Sequence, residues 1–310
     1  MFLSKRSISL IILIFFFFLI FLKSFSWNSQ FNEEFIRINF ERQSECNLGN
    51  PGKCSKLNKS LLITFWGERS SQFWLTKNLH LIYPERNFDY LIMIYDNSTW
   101  NSHPIYSKAI WIRVENQKRF WFIKRFLSRH LIESYRFIWI LDEDVQFDFH
   151  PLTYECVVNH YQILLSSPGR LLGSISYLIT RISPLYEDKI GRWTDFVETG
   201  PLIVFHSSAL SCLWNFINEK VSSGYGLDLI WCQILSQICF KNISSKKICA
   251  ILDSFSMNHL SQGINTVDVG NRELPAYQEY YRKYKTKKQS FGPIDQHSSI
   301  LYSCTNQSMI

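Results

Sequence analysis

Asp142-Glu143-Asp144 sets two carboxylates one residue apart at the end of the apolar run Phe137-Ile138-Trp139-Ile140-Leu141. On an extended backbone alternate side chains point the same way, so Asp142 and Asp144 can converge on one hard cation. A buried strand that ends in acids also delivers them to the carboxyl edge of a sheet, where open α/β proteins keep their chemistry. The chemistry this arrangement offers is Mn²⁺ or Mg²⁺ bridging the diphosphate of a nucleotide-sugar donor while the sugar passes to a hydroxyl. A lone Asp-x-Asp is also an ordinary way to close a strand with a turn, so the surrounding elements decide.

Residues 61–66, 89–95 and 109–114 are short apolar runs rich in β-branched and aromatic side chains, and each reads as a buried strand. Helices are expected over 70–80 and over 118–133, the second with Phe122, Phe126 and Leu127 on one face. Strands alternating with helices predict an α/β domain with a mostly parallel, doubly wound sheet. The second half is more mixed. Helices are expected over 151–165, over 207–219 with Ser207 or Ser208 as cap, and over 227–238 after Gly224-Tyr225-Gly226. Strands are expected over 201–205 and 248–253, an irregular polar stretch over 182–194, and no element from Gln289 onward. The implied organisation is a signal-anchor over 1–27, a stem over 28–60, a catalytic domain over 61–275 and a basic, polar tail over 276–310.

Lys5 and Arg6 precede an apolar run over 8–22 whose length lies between a signal-peptide core and a full membrane span. Ser24-Phe25-Ser26 offers a cleavage site, whereas the bulky core and Trp27 favour a retained anchor with the body outside the cytosol, a type II topology. Golgi or ER membrane is the expected address. The cysteine count of 8 permits complete pairing in an oxidising compartment, and Cys46 and Cys54, flanking a Gly-Asn-Pro-Gly turn, are the best local pair. Sequons begin at Asn58, Asn97, Asn242 and Asn306. The net charge of +7 is dispersed apart from a cluster over 282–288, which reads as solvated surface with attraction for acidic glycans or phosphates. A nucleic-acid partner is excluded by the secretory leader.

The ordered set Trp121-Phe122-Ile123-Lys124-Arg125-Phe126-Leu127, Tyr135 through Asp144, Phe196-Val197-Glu198, Gly226-Leu227-Asp228, then Asp253 and His259 before Gln262-Gly263-Ile264 resembles domain-of-unknown-function family 707. Members were once labelled lysine-ketoglutarate reductase trans-splicing-related. The resemblance spans roughly 61–271 and implies a GT-A-like glycosyltransferase fold. Two departures stand out: Leu141 replaces a usual Trp, and Thr199-Gly200 replaces a common Met-Ala.

The resemblance implies a role for each match. Asp142 and Asp144 hold the metal and the donor's diphosphate end, and His259 completes the metal site with Asp253 orienting it. Asp228, at the head of an expected helix, removes the acceptor's proton, with Glu198 as the competing candidate. Lys124 and Arg125 contact the donor phosphates, and Asp96 meets the base or ribose. Each also has a plainer reading, as a strand-end acid, a helix-dipole acid or a solvated cation. Two alternatives remain: a GT-A-like protein that binds a glycan or nucleotide-sugar without transfer, and a haloacid-dehalogenase-type phosphatase. The phosphatase pattern expects Thr or Val where Gln146 stands.

Overall fold

The structure, a computed structural model, describes residues 59–308 apart from 172–176, 187, 219–222, 245–246, 261–272, 285–289 and 296–297. The expected anchor, nearly all of the stem and the Cys46–Cys54 pair lie outside the described residues. Among the described residues no helix is long and apolar enough to cross a membrane.

The first four strands match the runs read from sequence: β1 (Ser60–Trp66), β2 (Phe88–Ile94), β3 (Ala109–Arg113) and β4 (Phe137–Asp142). They lie parallel in the order β3-β2-β1-β4. Every residue of β1 and β2 is buried, as is β4 up to Leu141. Burial on both faces is why these strands are continuous apolar runs rather than alternating ones. Helix α1 (Trp74–Ile82) follows β1. The single helix expected over 118–133 is two, α2 (Arg119–Phe126) and α3 (Arg129–Glu133). The chain breaks at Leu127, and Ser128 restarts it by accepting the Leu131 N–H on Oγ at 3.1 Å, an N-cap that competes with helix continuation.

The remaining elements are β5 (Val145–Phe147), α4 (Pro151–His160), β6 (Leu165–Arg170), β7 (Lys189–Thr194), β8 (Leu202–His206), α5 (Ser207–Leu213), α6 (Trp231–Ile234), β9 (Cys249–His259), α7 (Gln278–Tyr284), β10 (Ser290–Asp295) and α8 (Ser298–Ser308). The sheet continues from β4 through β8, β6, β9 and β7 to β10, with β5 against the far end of β9. Here β6 and β9 are parallel and the other pairings antiparallel, so the sheet is parallel in its first half and mixed in its second. β6 stands where a helix was expected to end, because Ser166-Ser167-Pro168-Gly169 reads as a turn. Pro168 is tolerated since the ladder to β8 covers only Leu165 and Ser166. β7 lies in the stretch expected to be irregular. His206, not Ser207 or Ser208, caps α5, its Nδ1 accepting the Ser208 N–H at 3.3 Å.

β9 departs from regular pairing once. Leu252 is opposite Pro168 and Ser256 opposite Gly169, so Asp253, Ser254 and Phe255 form a bulge. Beyond it, Met257, Asn258 and His259 pair with Phe147, Gln146 and Val145. Residues 276–310, expected as a tail, contribute α7, β10 and α8. β10 pairs with β7, and a disulfide joins Cys304 of α8 to Cys156 of α4. Cys212–Cys239 and Cys232–Cys249 are also bridged, so every cysteine among the described residues is paired.

Candidate active site and metal centre

β4 ends at Asp142, and the two residues Glu143-Asp144 lead straight into β5. Because β5 pairs with the end of β9, Val145 faces His259, and the Leu260 N–H donates to the Asp144 carbonyl at 2.9 Å. His259 Nε2 then lies 3.2 Å from Asp144 Oδ2. One ligand atom from each of Asp142, Asp144 and His259 falls within 4.8 Å of the other two. Two carboxylates and one imidazole form a donor set that fits Mn²⁺ or Mg²⁺.

The electrostatics of the cluster agree with that fit. Burial raises the Asp142 carboxyl above its ordinary range; Arg119 opposes the rise and Asp144 adds to it. Burial also pushes Glu143 up to about 7, helped by the charge of Asp142, while the Tyr95 hydroxyl donates to its Oε1 at 2.8 Å. For His259 burial works downward, but the hydrogen bond and charge of Asp144, then the charge of Asp142, leave it raised. Negative charge crowded into a partly dry site is relieved by a dication.

Two guanidinium groups that sequence reasoning passed over meet these acids. Arg119 Nη1 stands 3.2 Å from Asp142 Oδ1 and donates to the Thr199 carbonyl at 2.7 Å. Arg170, 4% exposed, lies 2.6 Å from Glu198 Oε2 and donates to the Gly200 carbonyl. A Cβ on Gly200 would sit 1.9 Å from Arg119 Nη1, so the glycine of the unusual Thr199-Gly200 pair is what lets that guanidinium lie where it does. Arg119 carried no distinguishing mark among Lys118, Lys124 and Arg125. Arg170 was hidden at the end of a strand that reads as a turn.

Glu198 is partly buried, and that burial raises its carboxyl, with Arg170 opposing; Thr180 Oγ1 also donates to it at 3.3 Å. The helix expected over 227–238 begins only at Trp231, so Asp228 occupies the turn before it, 7% exposed. That turn holds Gly224 at φ +82°, a conformation glycine adopts without strain, and packs it against the Phe120 ring. Tyr177 is raised first by burial and then by Asp228, with a smaller push from Glu198, so both candidate bases act on one phenol.

Asp96 accepts the Glu68 N–H at 2.7 Å and the Ser98 N–H at 2.9 Å. Burial opposes, but these and related bonds hold it below its ordinary value. Lys124 is engaged elsewhere: its Nζ donates to the Trp214 carbonyl at 2.8 Å and stands 3.5 Å over that residue's ring. Arg125 is exposed on the same helix. Asp253 does not orient His259. It pairs with Arg192, whose guanidinium also donates to the carbonyls of Ile179 at 2.6 Å and Arg181 at 2.7 Å, bracing the segment that presents Thr180 to Glu198.

Residues 47–193 match the family described as "Protein of unknown function (DUF707)", the family that the residue pattern resembles. That span holds Asp96, Lys124, Arg125, Asp142 and Asp144 and ends before Glu198, Asp228 and His259. No curated protein matches the chain in sequence. Among solved structures, S. aureus TarS 1–349 in complex with UDP is 9% identical with a TM-score of 0.45, covering 74% of this chain and 67% of that one. Glucosyl-3-phosphoglycerate synthase from Mycobacterium tuberculosis, in complex with Mn²⁺, UDP-glucose and phosphoglyceric acid, is 10% identical with a TM-score of 0.46, covering 77% and 88%. The mannosyltransferase PcManGT from Pyrobaculum calidifontis, in complex with GDP-Man and Mn²⁺, is 10% identical with a TM-score of 0.44, covering 81% and 70%.

Proposed function

We propose that the chain transfers a sugar from a nucleotide-sugar donor to a hydroxyl of a glycan or other acceptor, using Mn²⁺ or Mg²⁺ held by Asp142, Asp144 and His259. The convergence of these three side chains at the carboxyl end of β4 carries the reading. A dication bound there would supply positive charge at the donor's diphosphate as the glycosidic bond breaks.

The chain's own residues divide the remaining work. Asp96 ties the loop after β1 to the end of β2 and forms the donor-side wall. Asp228 is the proton acceptor in this reading. Glu198 is committed to Arg170 at 2.6 Å, and protonating it would strip a buried guanidinium of its counter-charge. Glu198 and Arg170 together therefore shape the acceptor side, with the proton passing from the acceptor hydroxyl to a carboxylate oxygen of Asp228.

Incubating the purified domain with Mn²⁺ and a panel of UDP-, GDP- and CMP-sugars should release one free nucleotide, and Asp144→Ala should release none. No release by either protein across the panel would remove the reading. The proposal extends to a lumenal domain on a type II anchor in the Golgi or ER. Three disulfides and the exposed positions of Asn97 and Asn242 within sequons support it. A glycosidase-sensitive mass on a membrane-retained protein is the expected result. A mature chain starting near Trp27 and free in the medium would replace the anchor with a cleaved leader.

A further inference from the structure

Asp142 already has a positive partner. Arg119 Nη1, 3.2 Å from Asp142 Oδ1, is seated on a backbone shelf made by Thr199 and Gly200. It donates to the Thr199 carbonyl at 2.7 Å, and the missing side chain of Gly200 leaves the space it fills. Arg170 donates to the Gly200 carbonyl of the same shelf but spends its charge on Glu198. We propose that Arg119 is the resident counter-ion of Asp142 and opposes a divalent cation on that carboxylate, so that this guanidinium sets how tightly the metal is held. The inference rests on the metal-site reading above.

The physical argument is one of like charges. A dication on the ligand atoms of Asp142, Asp144 and His259 and a guanidinium on the same Asp142 carboxylate repel one another. At roughly 6 Å, even in a water-like dielectric, that repulsion weakens metal binding by about tenfold. Held by the Thr199 carbonyl, the guanidinium would stay beside the cation, where the phosphates of an incoming ligand would meet both charges.

The test is Mn²⁺ titration of the purified full-length chain, read from the electron paramagnetic resonance of free Mn²⁺, on wild type, Arg119→Gln, Gly200→Ala and Asp144→Ala. Arg119→Gln should bind Mn²⁺ about tenfold more tightly. Gly200→Ala keeps the charge but pushes it off the shelf, and should shift affinity in the same direction by less. Damage to a merely structural contact loosens a site; only removal of a competitor tightens it. Unchanged or weaker binding in Arg119→Gln, with wild type binding normally, overturns the inference and leaves the metal site standing. Should Arg119→Gln fail to fold, Gly200→Ala decides by the same sign. Absence of Mn²⁺ binding by wild type overturns both the metal reading and this inference.

Discussion

The half of the sheet made by β1 to β4 and the half made by β5 to β10 are held together by different means. In the first, strands close in sequence lie parallel, β1, β2 and β4 are buried on both faces, and β4 ends at a site acid. In the second, strands from distant parts of the chain meet in mixed directions. A buried ion pair (Arg192–Asp253), a partly buried one (Arg170–Glu198), three disulfides and a bulge fix their positions. Apolar packing tolerates many sequences, whereas a buried ion pair fails when either partner goes. The first half thus supplies a fixed edge, and the second brings His259 to it through contacts that single substitutions can break.

The sharpest way to break that division is at the seam. Asp144→Ala should abolish nucleotide release. It should also remove metal stabilisation: Mn²⁺ at one hundred times its dissociation constant should stabilise wild type by about 2.7 kcal/mol and the variant not at all, read as thermal melts. Equal shifts in both proteins would separate the metal from this cluster.

Next comes the assignment of the base within the second half. Asp228→Asn should lower turnover by about 10² to 10⁴-fold with little change in donor affinity. Glu198→Gln should cost less and act mainly on acceptor KM. The opposite ranking would reverse the two roles, and full activity in both would favour a mechanism without a protein base.

The covalent ties can be compared directly by urea unfolding. Cys156 and Cys304 are separated by 148 residues and Cys232 and Cys249 by 17. Loop-closure entropy then predicts losses of about 5 and about 3 kcal/mol for Cys304→Ser and Cys249→Ser respectively. An inverted order would show that local strain, not chain closure, governs the second half.

The smallest effect is a pH dependence at the edge of the first half. Folding raises Glu143 from 4.5 to about 7, so the folded state holds this proton more tightly than the unfolded chain. The associated stability is fully present below pH 4.5 and is lost as pH rises through about 7, at most about 3 kcal/mol. Glu143→Gln, which cannot ionise, should therefore raise the melting temperature more at pH 8 than at pH 5.

The first half was legible because its strands are unbroken apolar runs and its acids stand at their ends. Asp142 and Asp144 could be paired from spacing alone, and the resemblance supplied His259 as their partner. Three features defeated the reading elsewhere. Pro168 and Gly169 disguised β6, Ser128 split a helix whose periodicity runs through it, and β10 is too polar to stand out before its partner β7 is known. The arginines at the site were invisible for another reason. Which of several cations on a helix turns inward depends on where that helix starts, and Arg192 signals nothing until the bulge presents Asp253.

That bulge gives β9 the character of a gauge. The strand is 11 residues long; Cys249 is bolted to Cys232 at one end and His259 meets Asp144 at the other. Side chains alternate along it, so adding or removing one residue in either straight segment would turn the imidazole to the opposite face. Length can be absorbed at Asp253-Ser254-Phe255, where pairing is already interrupted. Apart from Cys249, Asp253 and His259, homologous chains should therefore vary in residue type along β9 while conserving the count on each side of the bulge, making spacing an inherited quantity in its own right.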